Sequence, residues 1–203
     1  MNFKPSFIMT SQDIFKIGLM VLIVALSPKP ASADVCVWRD PARTMSKLFP
    51  EARDYMTITR KMTPEIVSRI EKQIGTSLDE SEKVEFSFYD IKAIQEGKPA
   101  SAGTVLALAG KGEYGAIEIV IGINLSAEIR GIYIQRSRER ANKALKSDDF
   151  LSQFVGKSAE DPLEFGKDLK TLPEAPAAAE AVRLTVKKML IFQKELGSGG
   201  EPK

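Results

Sequence analysis

Arg136, Arg138, Glu139 and Arg140, in the run "IQRSRERANK", offer the chemistry most worth following. Guanidinium groups meet phosphate oxygens through two parallel N–H donors, so a cluster of them suits a phosphorylated ligand. The same run also reads as a solvated basic loop at the end of an edge strand. "GKGEYG", with Gly110, Gly112 and Gly115, is loosely like a loop that cradles phosphate on its backbone. It lacks the spacing and the strand-to-helix setting of a nucleotide loop, and by itself it is a strand connection. Asp148 with Asp149, and Glu160 with Asp161, are paired carboxylates at helix starts or turns, where acids are favoured by free N–H groups. Neither pair has a partner that would make it a general acid or base.

What is missing narrows the chemistry further. The 203 residues contain no histidine, which excludes His-ligated metal, a His general base and the Ser-His-Asp and Cys-His arrangements. Cys36 is the single cysteine, so there is no internal disulfide, no CxxC pair and no haem attachment motif. It reads as a small apolar residue near the mature terminus. Trp38 beside it is a core or docking aromatic, with a stacking platform for a ring as the other reading. Redox chemistry, if present, must come from an organic cofactor or a partner. Twenty-nine Lys and Arg against 27 Asp and Glu leave a formal charge of +2, too balanced to point to nucleic acid.

These residues need elements to hold them. At the amino terminus Lys4 and Lys16 precede the apolar run "IGLMVLIVAL", and "ASA" stands before Asp34. The pattern is that of a secretory signal over residues 1–33, cleaved after Ala33, with an uncleaved anchor as the alternative. Val35 before Cys36 excludes a lipoprotein signal. Over 34–196 the periodicities predict a short helix around Ala42, Met45, Leu48 and Phe49, stopped by Pro50, and then an extended "ARDYMTITRKM". A helix follows with Thr63 as N-cap, Pro64 in the first turn and Gly75 as terminator. Strands are predicted from Val84, Ala102, Ala116 and Glu128, the last two joined as a hairpin through 124–127. An N-capped short helix in "SDDFLSQFVGK" and a final helix over 177–196 complete an α+β domain: an antiparallel sheet packed with N-terminal and C-terminal helices. The tail 197–203 has a disordered composition.

In their order, these stretches resemble a known family. "GEYGAIEIVIGINLSAEIRGIYIQRSRE", then "FLSQFVGKSAEDPLEFGKDL", with "WRDPARTMSKLFPEA" and "MTPEI" ahead of them, look like the FMN-binding domain of periplasmic flavoproteins in sodium-pumping and Rnf-type redox complexes and their stand-alone relatives. The resemblance implies a periplasmic flavoprotein in electron transport. Its partners would be flavin and a redox protein or membrane redox complex, and not nucleic acid. It puts Tyr114, Gly115, Arg138 and Glu139 beside the flavin, with the flavin ring packed in the apolar gap between sheet and final helix.

The family then carries Asp-x-x-Ser-Gly-Ala-Thr before a helix, with FMN on the Thr hydroxyl. Here Lys170 stands for that Asp, and Pro173, Glu174, Ala175 and Pro176 stand for Ser-Gly-Ala-Thr. Proline has no hydroxyl, so a phosphoester at 176 is chemically impossible, and Pro176 also removes an N–H from the helix start. The resemblance therefore implies non-covalent FMN if any, and the alternative is a cofactor-free domain that serves as a binding or assembly module.

Overall fold

The computed structural model of the chain describes residues 42–197. The signal-like segment, Cys36, Trp38 and residues 198–203 lie outside the described residues.

Alternating apolar residues build five strands, β1 (Asp54–Lys61), β2 (Glu85–Gln95), β3 (Lys98–Lys111), β4 (Ala116–Ile123) and β5 (Ile129–Arg136). They form one antiparallel sheet in chain order, with each strand beside its neighbour in sequence. The extended stretch at 54–61 is thus a full member of the sheet. Beside the strands stand α1 (Ala42–Leu48), α2 (Pro64–Ile74), α3 (Asn142–Leu145), α4 (Asp148–Leu151) and α5 (Pro176–Phe192). An α+β fold with an antiparallel sheet and helices from both ends of the described chain is what the periodicities predict.

Each face of the sheet has its own cover. Ile117, Ile119 and Ile121 of β4 and Val182, Val186 and Met189 of α5 have no exposed surface and share one apolar core. Burying each such side chain is worth roughly 1.5–3 kcal/mol. Phe86 of β2 stacks on Phe192 of α5 with ring centres 4.3 Å apart. On the opposite face Leu48 and Phe49, at the end of α1, lie over backbone that side chains would obstruct. A Cβ at Gly103 (φ 147°) would overlap both the Phe49 ring and the Ile123 carbonyl.

Local signals set most element ends. Thr63 Oγ1 accepts the Ile66 N–H at the start of α2, and Gly75 ends it at φ 76°. Ser147 Oγ accepts the Phe150 N–H at the start of α4. Asn124 Oδ1 accepts the N–H groups of Ser126 and Glu128 at 2.9 and 3.0 Å, closing the β4–β5 turn.

Two elements depart from expectation. β2 and β3 run on to a two-residue turn at Glu96 (φ 52°) and Gly97 (φ 78°), with Pro99 opposite Ile94 inside the ladder. Positive φ at both turn residues matches the strand twist, and that geometry outweighs the usual exclusion of proline from strands. The final helix begins at Pro176, and after Phe192 it widens into a π-helical turn over Gln193–Gly197.

Candidate functional site

Two loops of opposite origin meet at one end of the sheet. The β3–β4 loop carries Tyr114 and Gly115, and the chain leaving β5 carries Arg138 and Glu139. Inside the first loop the Gly112 N–H donates to the Gly115 carbonyl at 2.9 Å. Between the loops the Tyr114 N–H donates to Glu139 Oε1 at 3.0 Å. Glu139 is only 5% exposed, one of few buried acids. A Cβ at Gly112 would overlap its Oε1, so glycine there is the condition for the carboxylate to enter the loop. The Arg140 guanidinium lies over the Tyr114 ring, 4.7 Å from its centre. A Cβ on Gly115 would come within 3.9 Å of Arg138 Cδ.

The four residues expected to border a cofactor are therefore neighbours, although their side chains differ in what they offer. Glu139 turns inward to bind backbone. Arg138 is exposed and pairs with no described acid. Tyr114 is 38% exposed beneath Arg140.

The stretch "FLSQFVGKSAEDPLEFGKDL" positions the chain in front of α5. Phe154 anchors it in the core with no exposed surface. Gly156 donates its N–H to the Ile129 carbonyl, and the Ile129 N–H donates to Lys157 O, both at 2.8 Å, which docks the segment on the β5 edge. Lys157 reaches Asp168 at 3.1 Å. Asp168 also accepts N–H groups from Glu164 and Leu163 at 2.8 and 3.2 Å. Burial pushes the Asp168 carboxyl up, but the Glu164 amide, the Lys157 ammonium and the Leu163 amide outweigh burial and hold its pKa below the usual aspartate value. Arg183 of α5 donates to the Leu163 carbonyl at 2.9 Å, and Gln153 Oε1 accepts the Lys170 N–H at 2.7 Å. Motif residues that suggest a ligand site are here spent on holding a loop.

That loop forms one wall of a groove of about 620 Å³. The opposite wall comes from α3, α4 and the chain before α3. Ala141, Ala144, Phe150 and Leu172 supply apolar surface, and Lys143, Lys170, Ser147 and Thr171 supply cations and hydroxyls, with Asp149 and Glu174 of opposite sign. Sequence reasoning passed over Lys143 and the cationic use of Lys170, because spacing along the chain does not show that 143 and 170 share a groove. Glu174 lines the groove two residues ahead of Pro176, the first residue of α5. No side chain caps that helix start, and Ala175 precedes it at φ −152°, ψ 62°.

The gap between sheet and final helix expected to receive a ring is filled. The β4 isoleucines and the α5 side chains have no exposed surface there. A Cβ on Gly110 would already overlap Thr185 Oγ1. A planar ligand would have to lie outside this interface.

Elsewhere, Glu118 is buried at 3% exposure with Oε2 unpartnered, and its Oε1 is 3.8 Å from Arg136. A separate cleft of about 630 Å³ opens beside the β4–β5 turn, lined by Arg60, Asp90, Thr104 and Gln193 among others. Among the described residues no group of His, Cys, Asp and Glu could hold a metal ion, and no helix is long and apolar enough to cross a membrane. No protein-family model matches the chain, and no curated protein matches it.

Proposed function

We propose that this chain is a divergent FMN-binding domain of the periplasm that holds flavin mononucleotide reversibly in the groove between 141–153 and 170–174, and exchanges electrons with a redox partner. The observation that carries the reading is the Tyr114–Glu139 bond, which gathers the glycine loop and the arginine loop just ahead in the chain of Ala141, the first residue to line that groove. Lys143 and Lys170, with Arg138 and Arg140 nearby in the chain, would neutralise the phosphate, and Ala141, Ala144, Phe150 and Leu172 would face the ring. Bound flavin would supply one- and two-electron transfer, which no side chain here can supply. The protein's own part is to hold the ligand, exclude water from one side of it and set the local charge.

A second reading has its own observation. Pro176 has no hydroxyl to esterify and no N–H to offer an anion, and Glu174 and Asp149 line the groove with negative charge. These residues favour a cofactor-free binding or assembly module.

An absorbance spectrum and intact mass of the chain purified from a flavin-replete host separate the two. A flavin band with unmodified mass, released on acid precipitation, supports reversible binding. A colourless protein whose unfolding temperature does not rise with added FMN supports the module, since ligand at 100 times its dissociation constant stabilises by roughly 2.7 kcal/mol.

A further inference from the structure

β1 is the open edge of the sheet. β5, the other edge, is engaged at its start by Gly156 and Lys157. Among the described residues β1 is paired only by β2, and seven of its eight residues are exposed. It has no proline, no bulge and no charge between Asp54 and Arg60, which are the usual devices that stop a second strand from adding to an edge.

The backbone of this edge has a definite parity. Met62, just past β1, donates its N–H to the Val84 carbonyl at 3.0 Å in the β1–β2 register, so even-numbered residues turn their N–H and C=O toward β2. Tyr55, Thr57 and Thr59 turn theirs outward. The Tyr55 N–H is instead taken by Asp54 Oδ1 at 2.8 Å, as befits a donor with no strand beside it. The even side chains share the α5 face, where Ile58 stands opposite Phe88. The odd ones share the other face, where Tyr55 meets Tyr89 edge-on at 5.7 Å and Thr59 reaches the Ser87 hydroxyl at 2.8 Å.

We propose that β1 pairs antiparallel with β1 of a second copy about a two-fold axis at Thr57, joining two five-stranded sheets into one. Such an axis stands perpendicular to the sheet, so opposed residues must lie on the same face and be separated by an even number along the strand. Centring on Thr57 meets both this rule and the outward backbone parity. It places Asp54 opposite Arg60 of the second copy, Met56 opposite Ile58, and Tyr55 opposite Thr59. Two unlike charge pairs then bracket two apolar pairs on one face, and the other face carries tyrosine and threonine in its middle, with Lys61 at the strand end opposite Arg53 of the second copy. Moving the axis to Ile58 would set Arg60 against Met56 and lose both charge pairs. Neither Asp54 nor Arg60 is ion-paired with another described residue, so both are available.

Sedimentation or light scattering of the full chain at rising concentration tests this. The expected mass climbs from 22.3 kDa toward twice that value. Asp54→Arg and Arg60→Asp each set like charges opposite and weaken the dimer about tenfold. Mixing those two variants restores a complex containing one of each, because each pair is again unlike. Thr57→Pro removes an outward N–H that β2 does not use, so the dimer is lost while the unfolding temperature measured on the monomer is kept. A chain that stays monomeric throughout overturns the proposal, as does a dimer that all three variants leave unchanged. Failure of the two charge variants to associate with each other overturns the register.

Discussion

The backbone N–H of Tyr114 and the buried carboxylate of Glu139 are 3.0 Å apart, across 25 residues of sequence. This bond joins the β3–β4 loop to the chain leaving β5 and makes a buried acid an element of structure. Glu139→Ala should destabilise the fold by about 1–3 kcal/mol, since it orphans the Tyr114 donor and empties the space that Gly112 leaves. Glu139→Gln keeps an acceptor and should recover most of that loss. Chemical denaturation of the two variants checks it; equal losses would mean that the charge matters and the acceptor does not.

The contact of Gly110 with Thr185 sets the distance between sheet and final helix. Thr185 Oγ1 donates to the Ala181 carbonyl at 2.7 Å and fills the place of a Cβ at 110. Gly110→Ala should cost about 1–3 kcal/mol by overpacking. Thr185→Ala makes room, so the double variant should be more stable than the sum of the single effects predicts, as a double-mutant cycle would read.

Acid should act on the loop before α5 through Asp168. Its folded pKa lies below the ordinary 3.8, so its contribution to stability is complete above that pH and is lost as the pH falls through the lower folded value. Asp168→Asn should be less stable than the parent at neutral pH, and the gap should close in strong acid. Unfolding curves from neutral pH down to acid would show it, and a gap that stays constant with pH would refute the role.

A hydroxyl placed at 176 alone should not bring covalent flavin. Pro176→Thr supplies a hydroxyl, but Pro173, Glu174 and Lys170 still stand where the family that the sequence resembles has Ser, Gly and Asp. Co-expression with the flavin transferase should yield an unmodified intact mass.

Charge in the groove should govern reversible binding of the nucleotide. Replacing Lys143 and Lys170 by Ala should weaken FMN binding more at low salt than at high, because exposed charges are screened over about 8 Å at physiological ionic strength. Titration calorimetry at two salt concentrations reads this directly. The same loss at both would place the phosphate elsewhere.

The amino-acid sequence alone determined what depends on neighbours in the chain. Thr63, Pro64 and Gly75 bound a helix, Ser147 begins one and Asn124 folds a turn, because capping and turn hydrogen bonds span only two to four residues. By the same locality, a proline at 176 has no hydroxyl and cannot carry a phosphoester there, whatever the fold. The strands expected from Val84 and Ala102 are too short for the opposite reason: their pairing across the Glu96–Gly97 turn, with Pro99 opposite Ile94, depends on two strands meeting and not on neighbours alone.

Tertiary structure decided the rest, since the partners involved are far apart in sequence. Only the fold shows that Glu139 faces a backbone amide, that Lys143 and Lys170 share a groove, and that the gap under α5 is full. Likewise, "DYMTITR" is an ordinary strand until the sheet order places it at an edge, with its acid, apolar and basic residues open to pairing.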